Sequence, residues 1–385
     1  MTTTRLDILL YAHDGRGLGH ISRTVAIAMA LRRIRPDLRV LVTGGSAFTG
    51  ELALPGTLDW IKLPSYETVV RDGRAQGIDG PSGFSDSELA ELRKKQLCSI
   101  IGLYRPRLVL VDHQPQGKHR ELVPAMEASR PLQTRWFLGV RGVIGAVPQA
   151  GTKLGRELFN TFFSGLLWYG DSEVLGNEHK ERLQEQYSHG AVECGYVSRL
   201  REILHRKQWS LSGRKAGTIA VPWHGEHSGR VLDAVASALR LLGSGHGRWS
   251  LFADLDAPLF SKRRAALEEI PGCTLLQPGS LYLKELMCSK TALVYGGYNS
   301  LTDILAAGIP AVVLLRSMRD NEQQEHVRLL CRHTGDRLVS LDERQVSGSS
   351  LAHALETRLR MRPRPSNIAL DGAQCAAREL VRSLA

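Results

Sequence analysis

Two stretches in the N-terminal half carry side chains that can transfer protons. His20 ends a glycine-rich loop that follows a strand pattern at Leu6–Tyr11. Asp112 and His113 follow directly after a second strand pattern, Arg107–Val111. Histidine titrates near neutral pH, so His20 is a candidate general base, with Asp112 or His113 as its orienting partner or as a rival base. The alternatives are that His20 satisfies backbone groups at a helix start and that Asp112-His113 forms a hydrogen-bonded turn.

One stretch in the C-terminal half can bind an anion. A strand pattern ends at Tyr295, two glycines follow, and a helical pattern begins at Asn299-Ser300. The first N–H groups of a helix lack intrahelical partners and the helix dipole favours negative charge, so this unit is a candidate phosphate site. Ser300 and Asp303 also fit the S-x-x-D variant of a capping box, which would stabilise the helix without any ligand.

Strand and helix patterns alternate through both halves of the 385-residue chain. This alternation predicts an α/β protein with two doubly wound parallel sheets, each a Rossmann-like domain, and ligands at the carboxyl ends of the strands in the cleft between the domains. The predicted domains are residues 1–198 and 199–365, with a C-terminal helix in residues 366–385. The polar, aperiodic stretch Tyr66–Ser87 is predicted to be a long loop.

Composition limits the classes of partner. The net charge of +11 favours anionic partners, but no basic stripe is interleaved with aromatic residues, so we exclude nucleic acid. The six cysteines include no CxxC pair, which indicates a reducing cytoplasm. No apolar run is long enough to span a membrane, and the chain is expected to be cytoplasmic, with peripheral contact at the inner membrane face left open.

Two cofactor classes are also excluded by motif. The first glycine loop has the spacing GxGxG followed by His20, not GxGxxG, and the second strand pattern ends without the acidic residue that would bind an adenosine ribose. We therefore exclude NAD. His224 and His227 have no third ligand at useful spacing, so no metal site is expected there.

The chain resembles glycosyltransferases with the GT-B fold. The stretch GGYNSLTDILAAGIPAVVLL, from Gly296 to Leu315, is similar to the donor-binding segment of nucleotide-sugar transferases, including MurG-like enzymes. The loops GLGHISR, VDHQPQGKHREL, WYGDSEVL and GYV resemble a group of bacterial glycosyltransferases related to MurG. The likeness covers most of the chain and implies two Rossmann-like domains facing an interdomain cleft.

The resemblance implies roles for individual residues. Asn299 and Ser300, with their backbone N–H groups, would hold the donor diphosphate, and Asp303 would chelate the ribose hydroxyls. Glu322 and Gln323 would recognise the hydroxyl groups of the donor sugar by hydrogen bonds. The other donor-binding positions implied are Gly17, Gly19, His224, Gly225, Gly297 and Tyr298.

Three positions depart from the family pattern. Trp223–His227 stands where MurG-like enzymes have a glycine-rich diphosphate loop, and His224 would supply the positive charge or donor there. Asp303 is one carbon shorter than the usual Glu. Gly142 replaces an expected polar residue.

These implications predict a metal-independent, inverting glycosyltransferase. His20, which corresponds to the histidine facing the acceptor or reacting centre in relatives, would deprotonate an acceptor hydroxyl, helped by Asp112 or His113. The helix start in the C-terminal half would stabilise the departing nucleoside diphosphate. The expected donor is a nucleotide sugar, UDP-N-acetylglucosamine or one that carries a related hexosamine. No cofactor is expected. The product would be a cell-envelope glycan or a natural product. The alternatives are a GT-B-fold nucleotide-sugar hydrolase or epimerase, and a non-catalytic nucleotide-sugar-binding protein.

Overall fold

The computed structural model describes residues 5–12, 18–71, 74–78, 82–143, 152–206, 215–222, 227–316 and 322–384, and for residues 67–71 and 74–78 it describes the backbone alone. These residues form two compact units. Unit 1 contains the residues up to Ile203 together with those from Ala369 onward. Unit 2 contains Leu204–Ile368.

Unit 1 is built on a seven-stranded sheet and a separate two-stranded hairpin. Its strands are β1 (Ile8–Tyr11), β2 (Val40–Gly44), β3 (Asp59–Lys62), β4 (Glu67–Arg71), β5 (Arg74–Ile78), β6 (Leu108–Asp112), β7 (Arg135–Arg141), β8 (Phe163–Tyr169) and β9 (Ala191–Glu193). Its helices are α1 (Gly19–Ile34), α2 (Thr49–Leu52), α3 (Asp86–Tyr104), α4 (Val123–Ser129), α5 (Lys153–Phe162), α6 (Ser172–Leu175) and α7 (Glu178–Tyr187).

The order of strands in the first sheet creates a crevice at the carboxyl ends of two central strands. The seven strands are parallel in the order β3-β2-β1-β6-β7-β8-β9. In this register Ile8 lies opposite Val40 on one side and Leu108 on the other. The chain extends the sheet in one direction from β1 and in the other from β6, so the connections after these two strands diverge at their carboxyl ends.

Unit 2 repeats this arrangement with six strands. After α8 (Arg199–Arg206), within which the division between the units falls, its strands are β10 (Lys215–Val221), β11 (Trp249–Ala253), β12 (Cys273–Leu276), β13 (Ser289–Tyr295), β14 (Ala311–Leu315) and β15 (Leu338–Asp342). Its helices are α9 (Ser228–Leu242), α10 (Pro258–Glu268), α11 (Tyr282–Met287), α12 (Tyr298–Ala307), α13 (Glu322–Thr334) and α14 (Gly348–Leu359).

The second sheet is also parallel, in the order β12-β11-β10-β13-β14-β15. Its direction of growth reverses between β10 and β13, so the equivalent crevice lies at the carboxyl ends of these two strands. The central strands β6 and β13 are mostly apolar and are buried at every position but Lys290, as expected for strands covered on both faces. Two Rossmann-like α/β domains are therefore present, and the predicted fold class is confirmed.

Unit 1 also includes a helix from the C-terminal end of the chain. This helix, α15 (Gly372–Arg382), contacts α1 and buries Ala373, Ala376 and Leu380 among its apolar residues. The Tyr196 N–H donates to the Ala369 carbonyl at 2.7 Å, so the returning chain is hydrogen-bonded to unit 1 where it re-enters.

The prediction of a long loop at Tyr66–Ser87 was wrong. The strands β4 and β5 pair antiparallel within it, with Glu67 opposite Ile78. The two strands carry no apolar alternation that a half-buried strand would show, because most of their residues are polar or small. The dipeptide Asp72-Gly73 between them is a strong sequence signal for a tight hairpin, although both residues lie outside the described part of the chain.

None of the helices in the described residues is long and apolar enough to cross a membrane.

Candidate functional site

The crevice of unit 1 contains a compact cluster of charged side chains. His20 is the second residue of α1, which follows β1, and Asp112 is the last residue of β6. Because β1 and β6 are neighbours and end at the same edge, these two residues meet there. His20 Nδ1 lies 2.5 Å from Asp112 Oδ2.

Arg23, one turn further along α1, completes the cluster. Its Nε and Nη2 donate to the two carboxylate oxygens of Asp112 at 3.3 and 3.1 Å. The side chains of Arg23 and Asp112 are both 3% exposed, whereas the His20 side chain is 20% exposed. The ion pair is thus buried beneath a histidine that solvent or a ligand can reach.

The ion pair determines which His20 nitrogen carries the proton. Burial alone would raise the pKa of Asp112, but the Arg23 and His20 charges outweigh it and hold that pKa well below its usual range. An ionised carboxylate only accepts hydrogen bonds, so His20 Nδ1 must donate to it. The 3.0 Å approach of Arg23 Nη2 to the same Nδ1 is then crowding between two donors that share Asp112. The lone pair consequently lies on Nε2, the nitrogen required of a base.

His20 is neutral at physiological pH. Burial lowers its pKa below the ordinary value of 6.5, and the positive charges of Arg23 and Arg141 lower it further, against the opposing effect of Asp112. Arg141 is the last residue of β7, the strand next to β6. The arrangement suits a group that accepts a proton during a reaction.

His113 lies beside this cluster in an unusual backbone conformation. Its φ of 83° places a non-glycine residue in the left-handed region, and its N–H donates to the Gly139 carbonyl at 2.8 Å. The rings of His113 and His20 have centroids 5.0 Å apart. A strained backbone conformation persists only where the surrounding structure holds it in place. Residues of this kind are concentrated at functional sites.

The corresponding edge of unit 2 presents the start of α12. The helix begins at Tyr298, and Gly297 is its N-cap with no side-chain hydrogen bond. Ser300 is the third residue inside the helix and not its cap, so the alternative of a Ser300–Asp303 capping box is wrong. Gly297 has no side chain, so the N-cap residue itself donates no cap to the first turn of α12, which lies at the carboxyl end of β13.

The other predicted donor-binding residues lie around the same edge of unit 2. Asp303 is in the second turn of α12 and is 7% exposed. Glu322 and Gln323 begin α13, which follows β14, the neighbour of β13. Gln323 Oε1 is buried and has no hydrogen-bond partner among the described residues. A buried oxygen without a partner is one that a ligand's hydroxyl group could donate to.

Some predicted positions contribute less to the geometry. Gly19 opens α1, and a Cβ there would meet only Arg23 Nη1, at the ordinary contact distance of 3.7 Å. Gly17, His224 and Gly225 lie outside the described residues. Gly142, by contrast, is required by packing, because a Cβ there would come within 2.6 Å of Leu175 Cδ1 and 2.8 Å of Gly170 Cα. That crowding explains why a polar residue is missing at this position.

The structure adds residues that the sequence analysis missed. In unit 1 these are Arg23 and Arg141. In unit 2, a cluster of polar side chains surrounds Tyr295. Arg316 Cζ lies 4.7 Å from the centroid of the Tyr295 ring, and the side chains of Glu343 and Ser228 are hydrogen-bonded to its hydroxyl. Burial, followed by the Glu343 charge, raises the pKa of Tyr295. Four of these residues end a parallel strand or directly follow one, and that position was the available signal: Arg141, Tyr295, Arg316 and Glu343.

Comparison with known proteins gives a fold. No protein-family model matches this chain, and no curated protein does. Among solved structures, the UDP-GlcNAc 2-epimerase of Methanocaldococcus jannaschii is similar with a TM-score of 0.63, at 14% identity over 99% of both chains. The chain has the GT-B fold.

Other GT-B structures support this assignment. The UDP-GlcNAc 2-epimerase of Neisseria meningitidis, solved with UDP-GlcNAc bound, matches with a TM-score of 0.60 at 12% identity, covering 99% of both chains. MurG of Acinetobacter baumannii matches with a TM-score of 0.52 at 12% identity, covering 99% of this chain and 98% of that one. At these identities the likeness establishes the GT-B fold and leaves the reaction to be argued from the residues.

Proposed function

We propose that this protein is an enzyme acting on a nucleotide sugar. The observation that carries the proposal is the 2.5 Å hydrogen bond between His20 and Asp112, which makes His20 Nε2 a base at the carboxyl edge of the first sheet. In unit 2, the start of α12 would present N–H groups to a diphosphate, and Asp303 in α12 and Gln323 at the start of α13 would contribute polar contacts.

We favour the epimerase or hydrolase over the glycosyltransferase. Inverting a carbon centre requires one group that removes a proton and another that returns one to the opposite face. His20 supplies one such group, but the His113 ring is in contact with the His20 ring, with centroids 5.0 Å apart, and leaves no room for a sugar carbon between the two rings. The preference rests on the similar solved structures, most of which are UDP-GlcNAc 2-epimerases.

The glycosyltransferase is the second candidate. It is supported by the sequence motifs at Gly296–Leu315 and by the structural likeness to MurG. In that reaction His20 would take the proton of an acceptor hydroxyl, and the nucleoside diphosphate would leave from the α12 end. The two candidates share the nucleotide site and differ in whether a second substrate is needed.

The deciding experiment is to incubate the protein with UDP-N-acetylglucosamine in D₂O without an acceptor and follow the sugar by proton NMR. An epimerase converts part of the substrate to an epimer that carries deuterium at the inverted carbon. A hydrolase releases free sugar and UDP. A glycosyltransferase leaves the substrate unchanged until an acceptor is added.

Binding is measured in parallel by thermal shift against a panel of nucleotide sugars, because a ligand that binds the folded state raises the Tm. Nucleotide binding without any turnover would favour the non-catalytic binding protein. The absence of both binding and turnover across the panel would refute the proposal.

A further inference from the structure

Two of the six cysteines lie together where the chain leaves and re-enters unit 1. Cys194 follows β9 directly, nine residues before the chain passes into unit 2 after Ile203. Cys375 lies in the first turn of α15, after the chain has returned at Ala369. Although the two cysteines are far apart in sequence, their sulfurs contact the carbonyl oxygens of two adjacent residues, Val192 and Glu193.

Backbone contacts hold both sulfurs at the end of β9. Cys194 Sγ lies 3.6 Å from the Val192 carbonyl, and Cys375 Sγ lies 3.7 Å from the carbonyl of the adjacent Glu193. The Gly372 N–H donates to the Tyr196 carbonyl at 3.0 Å, which anchors the start of α15 against the same segment. The pair is therefore positioned by regular structure on both sides.

We propose that Cys194 and Cys375 form a reversible disulfide that fastens α15 to the end of β9 when the protein meets a peroxide. The reaction begins when the Cys375 thiolate attacks hydrogen peroxide, which breaks the O–O bond, releases hydroxide and forms a sulfenic acid. The Cys194 sulfur then displaces water from that sulfenic acid and gives up its proton as the S–S bond forms. In total, two thiols are oxidised and one peroxide is reduced to two waters.

The local electrostatics assign the two roles. The hydrogen bond from Cys194 lowers the pKa of Cys375 to about 7, and Arg378 and Arg382 also lower it, against the effects of burial and Glu379. The hydrogen bond to Cys375 and burial raise the pKa of Cys194. Cys375 is accordingly the attacking thiolate and Cys194 the resolving thiol.

The disulfide would act on the helix that carries His20. α15 packs on α1, and Arg33 in the last turn of α1 donates to Gln374 at 3.0 Å and forms an ion pair with Glu202 at 2.9 Å. Fastening α15 covalently restrains the unfolded chain and holds this packing in place. The oxidised protein should therefore unfold at a higher temperature than the reduced protein.

The test uses the full chain treated with an equimolar amount of hydrogen peroxide, followed by alkylation of free thiols and peptide mass spectrometry without reduction. The expected product is a Cys194–Cys375 linked peptide that disappears with dithiothreitol, together with a higher Tm of the oxidised form. Before oxidation, Cys375 should react with iodoacetamide about ten-fold faster or more than Cys273, whose thiol pKa is raised to about 11 by burial.

Two variants separate the proposal from general oxidation. Cys273→Ser should leave the yield of the linked peptide unchanged. Cys194→Ser should abolish it and let Cys375 accumulate as sulfenic acid, because the resolving thiol is gone and equimolar peroxide supplies one oxidation per protein. The proposal is overturned if folded protein yields no linked peptide, or if linkage requires denaturant. It is equally overturned if Cys375 is alkylated no faster than Cys273.

Discussion

The two sheet crevices share a topology and differ in what occupies them. In unit 1, a buried ion pair between Arg23 and Asp112 is already satisfied within the protein and holds one histidine. In unit 2, α12 begins at a glycine N-cap, and Gln323 Oε1 has no partner among the described residues. On the proposed function, the first edge moves a proton and the second binds the nucleotide. This difference predicts that variants at the first edge reduce turnover and variants at the second reduce affinity.

The largest effect is expected at His20. His20→Gln keeps a polar side chain but removes the base, so turnover should fall by about 10²–10⁴-fold while nucleotide affinity changes little. Steady-state rates and calorimetric titration with the nucleotide measure the two quantities. His205→Gln, at an exposed position of α8, is the control and should leave both unchanged. A His20→Gln protein that binds the nucleotide poorly but retains turnover would reverse the assignment of the two edges.

The second effect concerns the ion pair beneath His20. Arg23→Met leaves a buried carboxylate without its cation, which should lower the free energy of unfolding by about 3–5 kcal/mol in urea denaturation. Adding Asp112→Asn should recover part of that loss because the isolated charge is gone. Arg35→Met removes the exposed pair with Asp37 and should change the free energy of unfolding far less than Arg23→Met. Equal losses at Arg23 and Arg35 would show that the buried pair has no special role.

A third prediction tests the edge of unit 2. Asn299→Ala combined with Asp303→Asn removes one polar side chain and one negative charge from α12, so nucleotide affinity should fall by about 10–100-fold. Turnover at saturating nucleotide should remain near that of the unmodified protein, because His20 is untouched. Calorimetric titration and saturation kinetics measure these changes. Affinity that survives the double substitution would move the nucleotide site elsewhere.

The pH dependence offers a fourth measurement. His20 must be neutral to act as a base, and its lowered pKa places the acidic fall in kcat/KM below pH 6.5. In Asp112→Asn the influence that raises this pKa is lost, so the acidic fall should move to still lower pH. Activity that is lost on acidification above pH 6.5 would contradict the assignment of His20.

The same residue has a consequence for stability. The pKa of His20 is lower in the folded state, so the unfolded chain binds the additional proton more readily. The contribution of His20 to folding is therefore present above about pH 6.5 and declines as the pH falls towards its folded pKa. Denaturation measured across this range should show the decline, and His20→Gln should reduce it.

The sequence alone was sufficient to locate the strands and helices whose apolar residues recur at regular spacing. β1, β6 and β13 were placed in this way, and the residues that follow them could be proposed as sites. Arg23 was missed because a buried arginine inside a helix has no distinct sequence pattern; its partner Asp112 is distant in sequence and becomes its neighbour only in the folded sheet. The hairpin β4–β5 was missed because its strands lack a buried apolar face in the sequence.

The smallest expected effect is that of Gly297→Ala. This variant distinguishes a nucleotide that packs against the start of α12 from packing within the protein alone. Gly297 has a φ of −75°, and a Cβ there would meet nothing within 4 Å, so the fold does not require glycine. Gly297→Ala should therefore change the free energy of unfolding by less than about 1 kcal/mol. If a diphosphate packs against the α12 N–H groups, however, the added methyl should weaken nucleotide binding by about three- to ten-fold.

Gly142→Ala is the matched comparison for this last variant. Its Cβ would come within 2.8 Å of Gly170 Cα, and it should lower the free energy of unfolding by about 1–3 kcal/mol without altering nucleotide affinity. Two glycine-to-alanine changes, one in each unit, would thus give opposite results in the same two assays. Unchanged affinity in Gly297→Ala would mean that the nucleotide does not reach the start of α12, and the contrast between the two edges would lose its basis.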